Sequence, residues 1–327
     1  MRAVVVEEPG GPEALTIVDR PIPTPAADEV LIEVRATSVN GADLLQRRGR
    51  YPSPEGSSDV LGLEAAGEVV AVGGDVTTVA VGDRVCGLLP GGGYAEYAVL
   101  PERLALRLPD ALDWPRAGGL VEVFATAHDN MVTRGRLAPD ETVLIHGVAS
   151  GVGTAASQIA VRAGARVLGT ASTEQKRRAA ERLGASATID YTTEDFVERV
   201  RQLTDGRGVD VVVDIVGGPY LQRNLDCLAL EGRLVVVSVI GGPDAELSLD
   251  QLMARRLTIT ASTLRARSVD AKAQVTDALR SEVMPGFVDG SLDVVVDSVH
   301  DLSDVADAHR RLEAGAHVGK VIIRVRE

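Results

Sequence analysis

Two runs of β-branched residues, Asp210-Val-Val-Val-Asp-Ile-Val216 and Leu234-Val-Val-Val-Ser-Val-Ile240, constrain this chain more than any other feature. Strands that are apolar on both faces belong to a parallel sheet covered on each side by helices. Candidate strands at Thr142–His146, Arg166–Thr170, Ala187–Ile189, Asp210–Val216, Arg233–Ile240 and Leu257–Ala261 follow one another along the middle of the chain. The segments between them carry helical spacing, as where Ala156, Ile159 and Ala160 recur within Gly153–Arg162. Six strands with helical crossovers predict an α/β fold, a doubly wound parallel sheet of Rossmann type.

The first third reads differently. Short strands at Arg2–Val6, Val30–Ala36, Glu64–Val72 and Arg84–Leu89 are broken by Pro9-Gly-Gly-Pro12, Pro21-Ile-Pro-Thr-Pro25 and Pro90-Gly-Gly-Gly93. Regular turn signals rather than helical stretches predict a β-barrel-type unit. The tail adds a long helical pattern from about Arg265, a strand near Val294–Val296, a helix Val305–Ala314 and a strand Val321–Val325. These pieces are too few to fold alone and are assigned back to the first unit. The expected organisation is residues 1–121, an inserted dinucleotide-type unit at 122–264, and a return at 265–327.

The 327 residues carry 34 Lys+Arg against 47 Asp+Glu, a net charge of −13, which makes nucleic acid and anionic membrane poor partners. Two cysteines, Cys86 and Cys227, allow no cysteine-rich zinc module. The apolar start is too short for a leader and no run approaches a membrane span, so the expected location is cytoplasmic.

The chemistry-bearing motif follows the strand Thr142–His146. It reads Gly147-Val-Ala-Ser-Gly-Val-Gly153 and leads into a helix. Val148 and Ser150 stand at the first two glycine positions of G-x-G-x-x-G, so the match is imperfect. The loop must turn tightly and bring the N–H groups of Ser150, Gly151, Val152 and Gly153 against a pyrophosphate. At the end of the next strand, where an acidic residue would select NAD, stand Ala171, Ser172 and Thr173, followed by Lys176. That set accepts a 2′-phosphate and points to NADPH; otherwise Lys176 is a solvated charge. The chain has only three lysines, Lys176, Lys272 and Lys320, which speaks against filler. Tyr191 either covers the adenine side or is a loop residue. Val216, Val239 and Ile240 end neighbouring strands at the carboxyl edge, where dinucleotides bind.

Taken together, Asn40-Gly-Ala-Asp-Leu-Leu-Gln-Arg-Arg-Gly-Arg-Tyr51, Leu61-Gly-Leu-Glu-Ala-Ala-Gly67, Val81-Gly-Asp-Arg-Val85, Gly93-Tyr-Ala-Glu-Tyr97, Ser150–Gly153 and Gly319-Lys-Val-Ile322 resemble the medium-chain dehydrogenase/reductase superfamily. Within it the chain is similar to the zinc-independent NADPH:quinone oxidoreductases, the zeta-crystallin-like group. The resemblance implies a GroES-like catalytic domain with the Rossmann domain inserted, and a homodimer or tetramer. An edge strand at Leu257–Ala261 is the candidate pairing edge. The zinc ligands of relatives match Asn40, Leu63 and Glu122 here, which cannot replace a thiolate–imidazole set.

Without a Lewis acid, hydride transfer is practical only to acceptors that spread the arriving charge themselves. Quinones and α,β-unsaturated carbonyls do so. The resemblance places Tyr51 beside the substrate, although a tyrosine before proline also serves packing. It makes Asn40 a substrate or nicotinamide contact, and Asp43 either a catalytic carboxylate or a cap of the helix Ala42–Arg47. Thr126 either faces the nicotinamide or bonds its own backbone. The expected activity is NADPH-dependent reduction of quinones or similar carbonyls. An enoyl or enone reductase, and a nucleotide-bound non-enzymatic protein of the crystallin kind, are the alternatives. The segment Phe124–Met131 is more polar than expected for a pocket wall, and aromatics make up only 3%.

Overall fold

The computed structural model describes residues 1–326. The chain divides into two compact units, one formed by Met1–Ala125 with Leu264–Glu327 and the other by Thr126–Thr263.

The first unit opens with β1 (Arg2–Val6), β2 (Leu15–Asp19) and the long β3 (Glu29–Val39), then α1 (Gly41–Arg47). It continues through β4 (Glu64–Val72), β5 (Arg84–Leu88), β6 (Tyr97–Pro101), β7 (Leu106–Arg107), α2 (Trp114–Gly118) and α3 (Val121–His128). α1 covers the helix expected at Ala42–Arg47, while α2 and α3 add helical stretches to a unit whose turn signals had pointed to strands alone. α2 has five residues and ends at Gly119, and α3 has eight and runs on into a π-helical turn, so helical periodicity has little room to show. In the second unit come β8 (Thr142–His146), α4 (Gly151–Arg162), β9 (Arg166–Ala171), α5 (Glu174–Arg182), β10 (Ala187–Asp190) and α6 (Phe196–Leu203). β11 (Val209–Asp214), α7 (Leu221–Cys227), β12 (Leu228–Val236), α8 (Leu249–Arg255) and β13 (Thr258–Ala261) complete it. The tail supplies α9 (Val269–Ala278), α10 (Met284–Asp289), β14 (Val296–Asp301), α11 (Val305–Glu313) and β15 (Lys320–Arg324).

The seven strands of the first unit's main sheet run β14-β15-β3-β4-β5-β7, with β6 paired to β3. The tail therefore closes the sheet begun by the first segment, β15 lying antiparallel to β3 with Ile322 opposite Ser38. Val4, Ile32, Val69, Leu100 and Ile323 meet in its core. The buried Arg47 ties α1 to the tail: its guanidinium meets His309 Nδ1 at 3.1 Å, donates to Gly10 O, and pairs with Glu313. Burial and the Arg47 charge push the His309 imidazole down to about 3, so it is a neutral acceptor here.

The second unit is one six-stranded sheet in the order β10-β9-β8-β11-β12-β13, with its neighbouring strands parallel throughout. The order reverses between β8 and β11, which makes the carboxyl ends of those two strands the switch point of the sheet. The Val/Ile run at 234–240 departs from expectation. Its strand starts at Leu228 and ends at Val236. Beyond it the chain follows the turn after β11, with Ile240 N–H donating to Ile215 O and Gly241 N–H to Val216 O. Val239 and Ile240 are consequently exposed rather than buried in the sheet. The polar segment after α3 forms a π-helical turn, Asp129–Arg134. There Asn130 Nδ2 donates to Thr126 O at 2.8 Å, and its Oδ1 accepts from Ser262 at 2.8 Å.

Strands β3 and β4 pack so closely at Gly67 that a Cβ there would lie 2.1 Å from Glu33 O. Gly67→Ala is expected to lower stability by at least about 2 kcal/mol in urea denaturation, because only backbone movement relieves the overlap.

Candidate active site

In the first unit the residues that carry chemistry gather around a buried carboxylate. Glu64, the first residue of β4, is 1% exposed. Its Oε1 accepts from Ser38 Oγ at 2.5 Å, Asn40 Nδ2 at 3.0 Å and Lys320 Nζ at 3.1 Å. Its Oε2 accepts from the Glu122 backbone N–H at 2.9 Å. The donors reach it because β15, β3 and β4 are adjacent strands, bringing Lys320, Ser38 and Glu64 side by side. Burying a carboxylate is tolerable only when its lone pairs are filled; here four donors from three chain segments fill them.

Asn40, expected as a substrate or nicotinamide contact, has both ends of its amide engaged. Oδ1 accepts from Lys320 Nζ at 2.6 Å, and Nδ2 donates to Glu64 and, at 3.4 Å, to Ser38. Asp43 caps α1, its Oδ2 accepting the Asn40 N–H at 2.8 Å, while its Oδ1 is buried without a partner. Burial pushes the Asp43 carboxyl up to about 6 against the opposing pull of the Asn40 N–H and the Lys320 charge.

Tyr51 lies in the loop after α1, half-buried under Arg265, whose guanidinium carbon is 5.3 Å from the ring centroid. Arg265 clamps that loop by donating to Gln46 Oε1, Ser53 Oγ and Pro90 O at 2.7–2.9 Å. Burial raises the Tyr51 phenol; the Arg265 charge lowers it and the Glu122 charge raises it. Glu122, at the start of α3, is pushed up to about 8 by burial and by Glu64, with Lys320 and Lys272 opposing. Burial lowers the Lys272 ammonium.

Glu64 and Lys320 lie within motifs that carry the resemblance, but no role was read for them or for Arg265 and Lys272. A usable signal existed: two of the chain's three lysines stand in this cluster.

A catalytic zinc needs three protein donors. Leu63 offers none, the Asn40 amide is spent, and among the described residues no three His, Cys, Asp or Glu side chains form a metal-holding group. The residues present do not fit the ion.

In the second unit, Ser150 caps α4, its Oγ accepting the Gly153 N–H at 3.1 Å. A Cβ on Gly153 would lie 2.3 Å from Gly147 O, so only glycine lets the helix start this close to the turn. The N–H groups of Gly151 and Val152 open the helix and have no partner within it. This cradle, after β8, fits a pyrophosphate. Val216 lies just past β11, beside the same switch point, where Asp214 accepts from its N–H at 2.7 Å and from Gly217 N–H at 3.1 Å. Ser172 and the half-buried Lys176 follow β9, Lys176 in the first turn of α5. Tyr191 follows β10, 43% exposed. Thr126 is half-buried in α3, while Val239 and Ile240 follow β12. His146 bonds Asn224 Oδ1 at 2.7 Å and Thr170 Oγ1 at 3.0 Å, and burial lowers it to about 4, giving a neutral structural imidazole.

Residues 151–281 match the zinc-binding dehydrogenase family and residues 26–110 the alcohol dehydrogenase GroES-like domain. The structure of Escherichia coli quinone oxidoreductase complexed with NADPH is similar over 99% of this chain and 100% of its own, with 31% identity and a TM-score of 0.90. The CurK enoyl reductase structure is similar over 99% of both chains, with 29% identity and a TM-score of 0.88. A component of the phenolphthiocerol/phthiocerol polyketide synthase of Mycobacterium tuberculosis is 32% identical over 98% of this chain, which spans 14% of that protein's length. The chain belongs to the medium-chain dehydrogenase/reductase superfamily, in its quinone oxidoreductase-like family.

The Glu64–Lys320 pair joins two buried groups, 1% and 3% exposed. Lys320→Met leaves Glu64 without its cation and is expected to cost about 3–5 kcal/mol in chemical denaturation.

Proposed function

We propose that this chain is an NADPH-dependent oxidoreductase that reduces quinones or similar activated carbonyl acceptors without a metal. The observation that carries the reading is the occupancy of the zinc-ligand positions of relatives. Asn40 is locked to Lys320 and Glu64, Leu63 has no donor atom, and Glu122 is a single carboxyl group. An acceptor that delocalises the arriving charge needs no Lewis acid. When bound, NADPH supplies a hydride from its reduced nicotinamide.

The α4 cradle at Ser150–Gly153 and the turn at Val216 would hold the pyrophosphate side. Ser172 and Lys176 would hold the 2′-phosphate, and Tyr191, Thr126, Val239 and Ile240 would complete the binding surface. In the first unit the Tyr51 phenol is the hydrogen-bond donor to the acceptor oxygen. Asn40 and Asp43 fix α1 and hence the Tyr51 loop. Similarity to the E. coli quinone oxidoreductase, solved with NADPH, supports cofactor and acceptor alike. Reduction of an activated C=C is the second reading, favoured by the likeness to the CurK enoyl reductase and to the polyketide synthase component.

We further propose a homodimer paired along β13, the edge strand of the parallel sheet, and a cytoplasmic location in keeping with two buried, unpaired cysteines.

The test is oxidation of NADPH by the purified protein with a benzoquinone and naphthoquinone panel, set against 2-enals and enoyl thioesters. Turnover is expected with quinones; turnover with the C=C acceptors alone makes it an enoyl reductase, and none with either removes the enzymatic reading. In calorimetry, Lys176→Ala should weaken NADPH by about tenfold or more while leaving NADH nearly unchanged. Equal losses would refute the phosphate assignment.

A further inference from the structure

In the parallel sheet, the three strands around the switch point end on polar side chains that share one face. Leu168, Leu144 and Val212 lie level on β9, β8 and β11, in the apolar layer that α6 and α7 cover. Two residues further along each strand, hence on the same face, come Thr170, His146 and Asp214. All three are buried, as is Asn224 of α7, which joins them.

The bonds among these four groups have one direction. Asn224 Oδ1 only accepts, so its 2.7 Å bond to His146 Nε2 places the ring hydrogen there. With the ring neutral, Nδ1 is bare and accepts the Thr170 hydroxyl at 3.0 Å, and Thr170 Oγ1 in turn meets the Gly147 N–H at 3.4 Å. Phe196 and Tyr220, edge-to-face on the imidazole at 4.8 and 5.0 Å, hold the ring in that orientation. At the other end Asn224 Nδ2 is buried without a full hydrogen bond, yet the side chain favours the charge on Asp214, which only its N–H end can do. Asp214 Oδ1 accepts from Val216 N–H and Oδ2 from Gly217 N–H, whose φ of 87° is left-handed. Donors thus run from Gly147 through Thr170, His146 and Asn224 to the Asp214 carboxylate.

We propose that His146 and Asn224 are positioning residues for the dinucleotide: with Thr170 and Asp214 they form one buried chain that holds the Gly147–Gly153 cradle and the Val216–Gly217 turn in register, so that the cofactor meets both at once. The inference rests on the NADPH reading above. Stability alone does not call for such a row, because matched apolar side chains of the same shape serve a core about as well as a bonded polar pair. What apolar side chains cannot do is fix the loops on either side by directional bonds.

The charge of Asp214 gives the chain its direction. Burial pushes this carboxyl up to about 6, with the N–H groups of Val216, Gly217 and Asn224 opposing. The Tyr220 phenol faces Asp214, and Arg223 and Tyr191 act on Tyr220 in turn. Protonation turns one Asp214 oxygen from acceptor to donor and releases a turn N–H, so affinity for the cofactor is lost as pH falls through about 6.

The experiment is calorimetric NADPH binding by the full chain between about pH 5 and 8, for wild type, Asn224→Leu and Thr170→Val, with thermal unfolding of each. Asn224→Leu breaks the link at both ends and is expected to bind about tenfold more weakly at the alkaline end. Its acid loss of affinity should also begin at higher pH, because a group that favoured the carboxylate is gone. Thr170→Val, close to isosteric and remote from Asp214, should weaken binding about threefold and leave the acid limb in place. A limb that belongs to the 2′-phosphate of the ligand itself would stay put in every variant.

Wild-type affinity in Asn224→Leu, a limb unmoved in that variant, or wild-type affinity in Thr170→Val would each overturn the assignment. Should Asn224→Leu not fold, the affinity of Thr170→Val decides it. Wild type that binds no NADPH at any pH removes the cofactor reading together with this inference; wild type that binds, with both variants unaffected, removes only the inference.

Discussion

The carboxylate of Glu64 is the interaction on which the first unit's site depends. At 1% exposure it has given up hydration, and the loss is offset by donors drawn from β3, β15, the start of α1 and the start of α3. Each donor is also a positional constraint. The Asn40 bond fixes where α1 begins, which sets the loop that carries Tyr51. The Glu122 N–H bond fixes where α3 begins, which sets the Glu122 carboxyl. One desolvated charge thereby orients groups that are far apart in sequence, and it does so with bonds that are expensive to break.

The same geometry separates scaffold from reactive groups. Around Glu64 the chain has a self-satisfied network: Lys320 supplies the positive charge, and Asn40 and Ser38 spend their hydrogen-bonding capacity inward. Such a network cannot polarise a substrate strongly, since its donors are already used. An acceptor that stabilises its own charge needs only a donor, an acid and exclusion of water.

Most of the fold was legible in the sequence, because it rests on local periodicity. The Val/Ile runs announced a parallel sheet, and Gly147–Gly153 announced the helix start that crowns its switch point. The run at 234–240 misled over its last residues: apolar character marked a strand where the backbone had already left the ladder to bond the turn after β11. The helix α1 was legible at Ala42–Arg47, but α2, with five residues, was too short to imprint a period. The Glu64 network was not legible, because Lys320 and Glu64 are separated by 256 residues and meet only through the strand order β15-β3-β4. Glu122 was visible only as a poor metal ligand; the upward push on its carboxyl depends on burial and on a second carboxyl nearby, neither of which spacing reveals.

The two units also divide the response to pH. In the dinucleotide unit the shifted groups near the carboxyl edge are His146, lowered to about 4, and Asp214, raised by burial to about 6. Both titrate below neutral pH, so at pH 7 His146 is neutral and Asp214 is mainly a charged acceptor for the N–H groups of Val216 and Gly217. The cradle that fits a pyrophosphate therefore keeps these two charge states across the neutral and alkaline range. In the first unit, Asp43 at about 6 has likewise titrated, and Glu122 at about 8 has not. Of these four groups, Glu122 is the one whose titration is centred between pH 7 and 9. An alkaline loss of turnover with unchanged cofactor affinity thus points to the first unit, whereas a parallel loss of affinity would place the titrating group in the second.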